Sequence, residues 1–129
     1  MMRSLFHWTL LALAFGATAP AQAQGYALIG AWRCYGGQAV HDMVFNADGS
    51  YSGTYAAPDG FRAYSEGPYR LTGALLRIDY QVWETQPQPT PSPGGDTYQV
   101  QLRGGAAMVL LNSRCAPNRE CQLRCERQQ

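Results

Sequence analysis

The chain has 129 residues, which is too short for two ordinary domains. Its ten basic residues are all Arg, and nine Asp and Glu reduce them to a formal +1; that balance excludes a broad basic surface of the kind that grips nucleic acid. At 12% aromatic residues, the chain is also too rich in large apolar side chains to stay mostly disordered.

Residues 1–23 read as a secretory signal peptide. Arg3 supplies the positive n-region, Leu5 to Phe15 a short apolar segment, and Ala21-Gln22-Ala23 the small–x–small cleavage pattern. The apolar segment is shorter than the roughly 20 residues a spanning helix needs, so no membrane anchor is expected after cleavage. Residues 24–129 then form a single domain, periplasmic or secreted. Removing Arg3 from the ten leaves nine Arg against nine acids, a neutral mature chain.

The mature segment shows short apolar runs separated by Gly, Pro, Asn and Asp, the pattern of an antiparallel β protein. Leu28 to Tyr35 is a first strand and Val40 to Phe45 a second. Asn46-Ala47-Asp48-Gly49 makes a turn into Ser50 to Tyr55. Ala57-Pro58-Asp59-Gly60 makes another. Phe61 to Ser65 is read as a fourth strand, ended at Glu66-Gly67-Pro68, and Tyr69 to Thr72 as a fifth. From Leu75 to Glu84, Leu76, Ile78, Tyr80 and Val82 alternate with mostly polar residues, as in a half-buried strand. A proline-rich loop is expected over residues 86–95. Tyr98, Val100 and Leu102 share a face of the next strand, and Ala107 to Leu111 is the last. Residues 119–127 are expected to form a helical turn.

About eight short strands without a long helix must bury one face of their sheet. The expected fold is all-β, a small antiparallel up-and-down barrel whose closure removes its edges; a two-sheet sandwich is the alternative.

Cys34, Cys115, Cys121 and Cys125 all fall in the exported part. An even count in an oxidising compartment reads as two disulfides stapling the Cys-rich segment 115–129. At least one bridge must then reach Cys34, closing a loop of about 80–90 residues worth ~4–5 kcal/mol in the chain-entropy model. The turn-forming Pro117 and Asn118 favour Cys115–Cys121 for the short bridge. The C-x5-C-x3-C spacing lacks the tight pair of a zinc knuckle, so neither a metal nor any other cofactor is expected.

Gly30-Ala31-Trp32 opens the first strand. Phe45-x-x-Asp48-Gly49-x-Tyr51, Gly67-x-Tyr69 and Leu75-Leu76-x-Ile78 follow. This succession resembles the lipocalin-like (calycin) small barrels over about residues 28–113, with Gly30 and Trp32 as their G-x-W motif. The resemblance implies that Trp32 packs across one barrel end with an Arg against it, for which Arg114 is the candidate. It also implies a non-enzymatic binding protein for a small apolar ligand or a protein partner. Separately, Trp32-x-Cys34-x-x-Gly37 resembles the opening of periplasmic c-type-lysozyme inhibitors, which implies an interaction module acting through loops.

The candidate ligand-lining residues are Tyr51, Tyr55, Tyr69, Tyr80 and Tyr98, which fall on the inward faces of their strands and offer apolar walls with orienting hydroxyls. His41-Asp42 is the one obvious acid–base pair, but neighbours on a strand point to opposite faces, so no catalytic residue is assigned. Asp79 and Glu84 are separated in the same way. Trp83, beside the proline-rich loop, is a candidate contact for a partner. Arg62, Arg70 and Arg77 are candidates for an outer-face cluster. A monomer is expected.

Overall fold

A computed structural model describes residues 27–84, 91–112 and 122–129. The signal-peptide segment, Arg114, Cys115 and Cys121 lie outside the described residues.

The chain forms a closed antiparallel barrel of eight strands in sequence order. They are β1 (Gly30–Gly36), β2 (Ala39–Phe45), β3 (Ser50–Ala56), β4 (Arg62–Thr72), β5 (Leu75–Glu84), β6 (Ser92–Arg103), β7 (Ala107–Asn112) and β8 (Gln122–Arg127). Each strand pairs with its neighbour, and β8 returns to β1 with Cys34 opposite Cys125. The alternation that identified the strands also divides inside from outside. Trp32, Met43, Phe45, Leu76, Ile78, Met108, Leu110 and Leu123 point inward and are buried. Burying side chains of this size contributes roughly 1.5–3 kcal/mol each.

The hairpins follow from local turn chemistry. Asn46-Ala47-Asp48-Gly49 and Ala57-Pro58-Asp59-Gly60 close in the same way: the Gly takes φ of 88° and 94°, and the Asp carboxylate accepts the backbone N–H two residues on.

Three expectations need correction. The fourth and fifth expected strands are one continuous β4, because Glu66-Gly67-Pro68 does not break it. Pro68 lies opposite Ser50 of β3, and β4 resumes pairing with β5 at Tyr69 in unchanged register. At Gly67 the backbone of β5 comes so close that a Cβ would meet the Asp79 carbonyl oxygen, so Gly here permits a close strand approach. Residues 92–95, expected in the proline-rich loop, belong to β6 and pair with β5. Pro93 lies where, among the described residues, β6 has a ladder partner on one side only, since its pairing with β7 starts at Tyr98, and an edge position tolerates Pro. Of the helical turn expected at 119–127, residues 119–121 lie outside the described residues and Gln122–Arg127 form β8 instead, where Leu123, Cys125 and Arg127 face inward with a period of two.

Cys34 and Cys125 form a buried disulfide across the β1–β8 seam, 91 residues apart in sequence. It is the long bridge to Cys34, and it ties the C-terminal segment in as a barrel stave. A disulfide is compatible with an oxidising, exported location.

Candidate functional site

The two ends of the barrel are built differently. At one end Trp32 is 1% exposed and donates its indole N–H to the Leu28 carbonyl at 2.9 Å. The Arg127 guanidinium lies over the Trp32 ring, 4.3 Å from its centroid. It donates to the carbonyls of Gly105 and Ile29 at 2.6 and 2.7 Å, and to that of Ala27. Arg127 therefore fills the place for which Arg114 was the candidate. Leu28, Phe45 and Leu76 complete a solid plug.

The other end is the mouth, where β1 joins β2, β3 joins β4, β5 joins β6 and β7 joins β8. Here, among the described residues, a cavity of about 260 Å³ runs inward between β2 and β6. Small inward residues make the room. Ala63 and Ser65 line it from β4, and Gly53 and Gly94 leave space for rings. A Cβ on Gly53 would meet the Tyr51 hydroxyl, and one on Gly94 would meet the Tyr80 ring. The opposite half of the interior is filled by Trp32, Met108, Leu110, Leu123 and the disulfide.

Of the candidate tyrosines, Tyr51, Tyr55, Tyr80 and Tyr98 line this cavity. Tyr69 does not. It packs edge-on against Phe45 with ring centroids 5.1 Å apart, and its hydroxyl donates to the Asn46 carbonyl at 2.7 Å, near the plugged end. Gly30 and Trp32 belong to that end as well.

The polar groups of the cavity converge on Asp96. Tyr80 donates its hydroxyl proton to the Asp96 carboxylate at 2.6 Å. Burial, and then this hydrogen bond and the negative charge of Asp96, hold Tyr80 well above the ordinary phenol range. Tyr98 is raised further, by burial first and by Asp96 second. Tyr51 is raised by burial, partly opposed by the hydroxyl of Ser65, which donates to it at 3.2 Å. All three phenols are thus neutral hydrogen-bonding groups at neutral pH.

His41 also faces this cavity, edge-on to Tyr55 at 4.7 Å. Burial pushes it below its ordinary value of 6.5, against the opposing charges of Asp96 and Asp42, so the imidazole is neutral at pH 7. Asp42 points outward and pairs with Arg33 at 2.8 Å. Asp79 is likewise outside, paired with Arg77, while Glu84 lines the cavity. Arg70 and Arg77 lie opposite each other on the outer wall, but Arg62 sits at the far end of β4, so the three do not form one cluster. Trp83 stacks against Tyr64 on the outer wall, with centroids 5.8 Å apart.

Asp96, Glu84, Phe61 and Ser65 also line the cavity and are not among the residues the sequence pattern singles out as ligand-lining. The signal for Asp96 was present, since it shares its parity with Tyr98, Val100 and Leu102. The proline- and glycine-rich stretch just before it masks this parity.

Among the described residues, no group of three or more His, Cys, Asp and Glu side chains could hold a metal ion. Comparison with protein-family models, with curated proteins and with solved structures finds no match.

Proposed function

We propose that this chain is an exported, non-enzymatic binding protein of lipocalin-like type, which takes a small ligand into the mouth of its barrel. The observation that carries this reading is the cavity of about 260 Å³ lined by Tyr51, Tyr55, Tyr80 and Tyr98. A concave site with apolar walls and a few convergent polar groups is the usual form of a small-molecule site. The N-terminal signal-peptide pattern and the Cys34–Cys125 bridge support export. A binding rather than catalytic role is favoured because Ser65 donates its proton to Tyr51 and not to His41, so hydroxyl and imidazole do not form a nucleophile–base pair. Native mass spectrometry of protein purified from its own exported compartment tests the reading. Retained mass that is lost on denaturation supports it. A bare chain, together with unmoved nuclear magnetic resonances of the lining residues across a fragment set, overturns it.

A second reading, a periplasmic interaction or inhibitor module, is favoured by the Tyr64–Trp83 pair on the outer wall, where Tyr64 is 41% exposed. Exposed aromatic pairs suit protein contacts. The direct test is turnover of a c-type lysozyme with and without the purified chain; unchanged turnover removes this reading.

A further inference from the structure

We propose that the cavity is selective for a small organic cation, an aryl-alkyl ammonium, held between the Asp96 carboxylate and the faces of Tyr51, Tyr80 and Tyr98. This inference deepens the small-ligand reading above and rests on it.

The first argument is charge. Among the described residues, the lining includes two carboxylates, Asp96 and Glu84, and no Arg; its remaining titratable base is His41. An apolar ligand seated over Asp96 would strip water from a carboxylate and return nothing to it, which costs several kcal/mol by order of magnitude. An anion would add repulsion to that cost. A cation turns the same carboxylate into its principal partner.

The second argument is the walls. An aromatic face carries the negative part of the ring quadrupole and attracts a cation within about 6 Å. Tyr51 and Tyr80 stand with centroids 6.4 Å apart and planes tilted by 41°, and Tyr98 lines the same cavity. The hydroxyl of Tyr80 is turned to Asp96, which fixes its ring. A carboxylate can accept about four hydrogen bonds, so Asp96 keeps acceptor capacity for an N–H donor after binding Tyr80.

The third argument is size. An apolar cavity of about 150 Å³ accommodates a benzene ring. The 260 Å³ here therefore suits one ring with a short alkylammonium arm, and is too small for a long acyl chain.

The test is calorimetric titration of the full exported chain with three probes of matched shape: phenethylammonium, 2-phenylethanol and 3-phenylpropanoate. The ammonium is expected to bind at least about tenfold more tightly than the alcohol, and the carboxylate to give no binding heat. Asp96→Asn, which keeps an acceptor for Tyr80, should weaken the ammonium and abolish its preference over the alcohol. Glu84→Gln, at the exposed rim, provides a second variant and should weaken the ammonium about two- to threefold. Alcohol binding as tight as the ammonium would overturn the cation inference and leave the small-ligand reading standing. No binding by any probe would also overturn the inference; the small-ligand reading falls with it only if native mass spectrometry shows a bare chain and the fragment set moves no resonance of the lining residues.

Discussion

The guanidinium of Arg127 and the indole of Trp32 form one latch: the cation lies 4.3 Å from the ring centroid while its N–H groups bind the carbonyls of Ala27, Ile29 and Gly105. The latch joins the first strand, the last strand and the β6–β7 turn at the plugged end. Gly30 is part of it. Its φ is 130°, and a Cβ there would lie 2.7 Å from Arg127 Nη1, so a side chain would be both strained and obstructed. Arg127→Ala removes the cation from the ring and leaves carbonyls without donors. A loss of about 2–4 kcal/mol is expected, read as a lower denaturant midpoint with unchanged slope. Arg127→Lys should recover only a fraction, because one ammonium cannot reach three divergent carbonyls while stacking. Full recovery by Lys would show that charge alone holds this end.

The disulfide acts on the same seam from inside. Cys34 and Cys125 are 91 residues apart, so opening the bridge frees nearly the whole barrel-forming chain in the unfolded state. The chain-entropy model puts that at ~4–5 kcal/mol. The Cys34→Ala, Cys125→Ala double variant should lose stability on this scale in chemical denaturation. A non-reducing peptide map should recover Cys34 and Cys125 in one linked species that separates on reduction. A map linking Cys34 to Cys115 or Cys121 instead would contradict the β1–β8 pairing.

Much of this fold was legible because alternation is a local signal. β5 could be read over Leu75 to Glu84 since Leu76, Ile78 and Tyr80 face the core while Arg77 and Asp79 pair outside. β8 could not be read that way. Its inward set is Leu123, Cys125 and Arg127, and neither an Arg nor a bridged Cys signals a core position by hydrophobicity. Arg127 owes its place to Trp32 and to carbonyls 22, 98 and 100 residues away in sequence, a relation no local window contains. The site divides along the same line. Inward tyrosines followed from strand parity. Which of them border open space depends on what their neighbours lack, as Gly53, Ala63 and Gly94 do, and that is a property of the assembled barrel.

Two glycine substitutions separate close backbone approach from side-chain room. At Gly67 a Cβ would meet the Asp79 carbonyl oxygen, with the Tyr80 Cα at 2.8 Å. Both are backbone atoms of the paired strand and cannot move without opening the β4–β5 ladder, so Gly67→Ala is expected to cost about 3 kcal/mol or more. At Gly53 a Cβ would meet the Tyr51 hydroxyl end, and the ring can swing into the cavity. Gly53→Ala should therefore cost only about 1 kcal/mol, while weakening any ligand that contacts Tyr51. Thermal melts of the two variants check the order. Equal losses would mean that Tyr51 is as firmly held as the backbone.

His41 supplies a pH signature for the cavity. Burial holds its folded-state pKa below the ordinary 6.5, so the unfolded chain binds the extra proton first on acidification. The native state's advantage is complete above about pH 6.5 and declines as pH falls from there toward the lower folded value. Asp96 and Asp42 oppose this shift without reversing it. His41→Gln removes the titration, so the stability of the parent chain relative to the variant should shrink between pH 7.5 and 5.5, a window chosen (roughly) above most carboxylate titration. Urea midpoints across that window provide the measurement. A parent chain that gains on the variant as pH falls would mean that Asp96 outweighs burial at His41. The imidazolium would then be the favoured form inside the cavity, and the site would hold a resident cation of its own opposite the carboxylates.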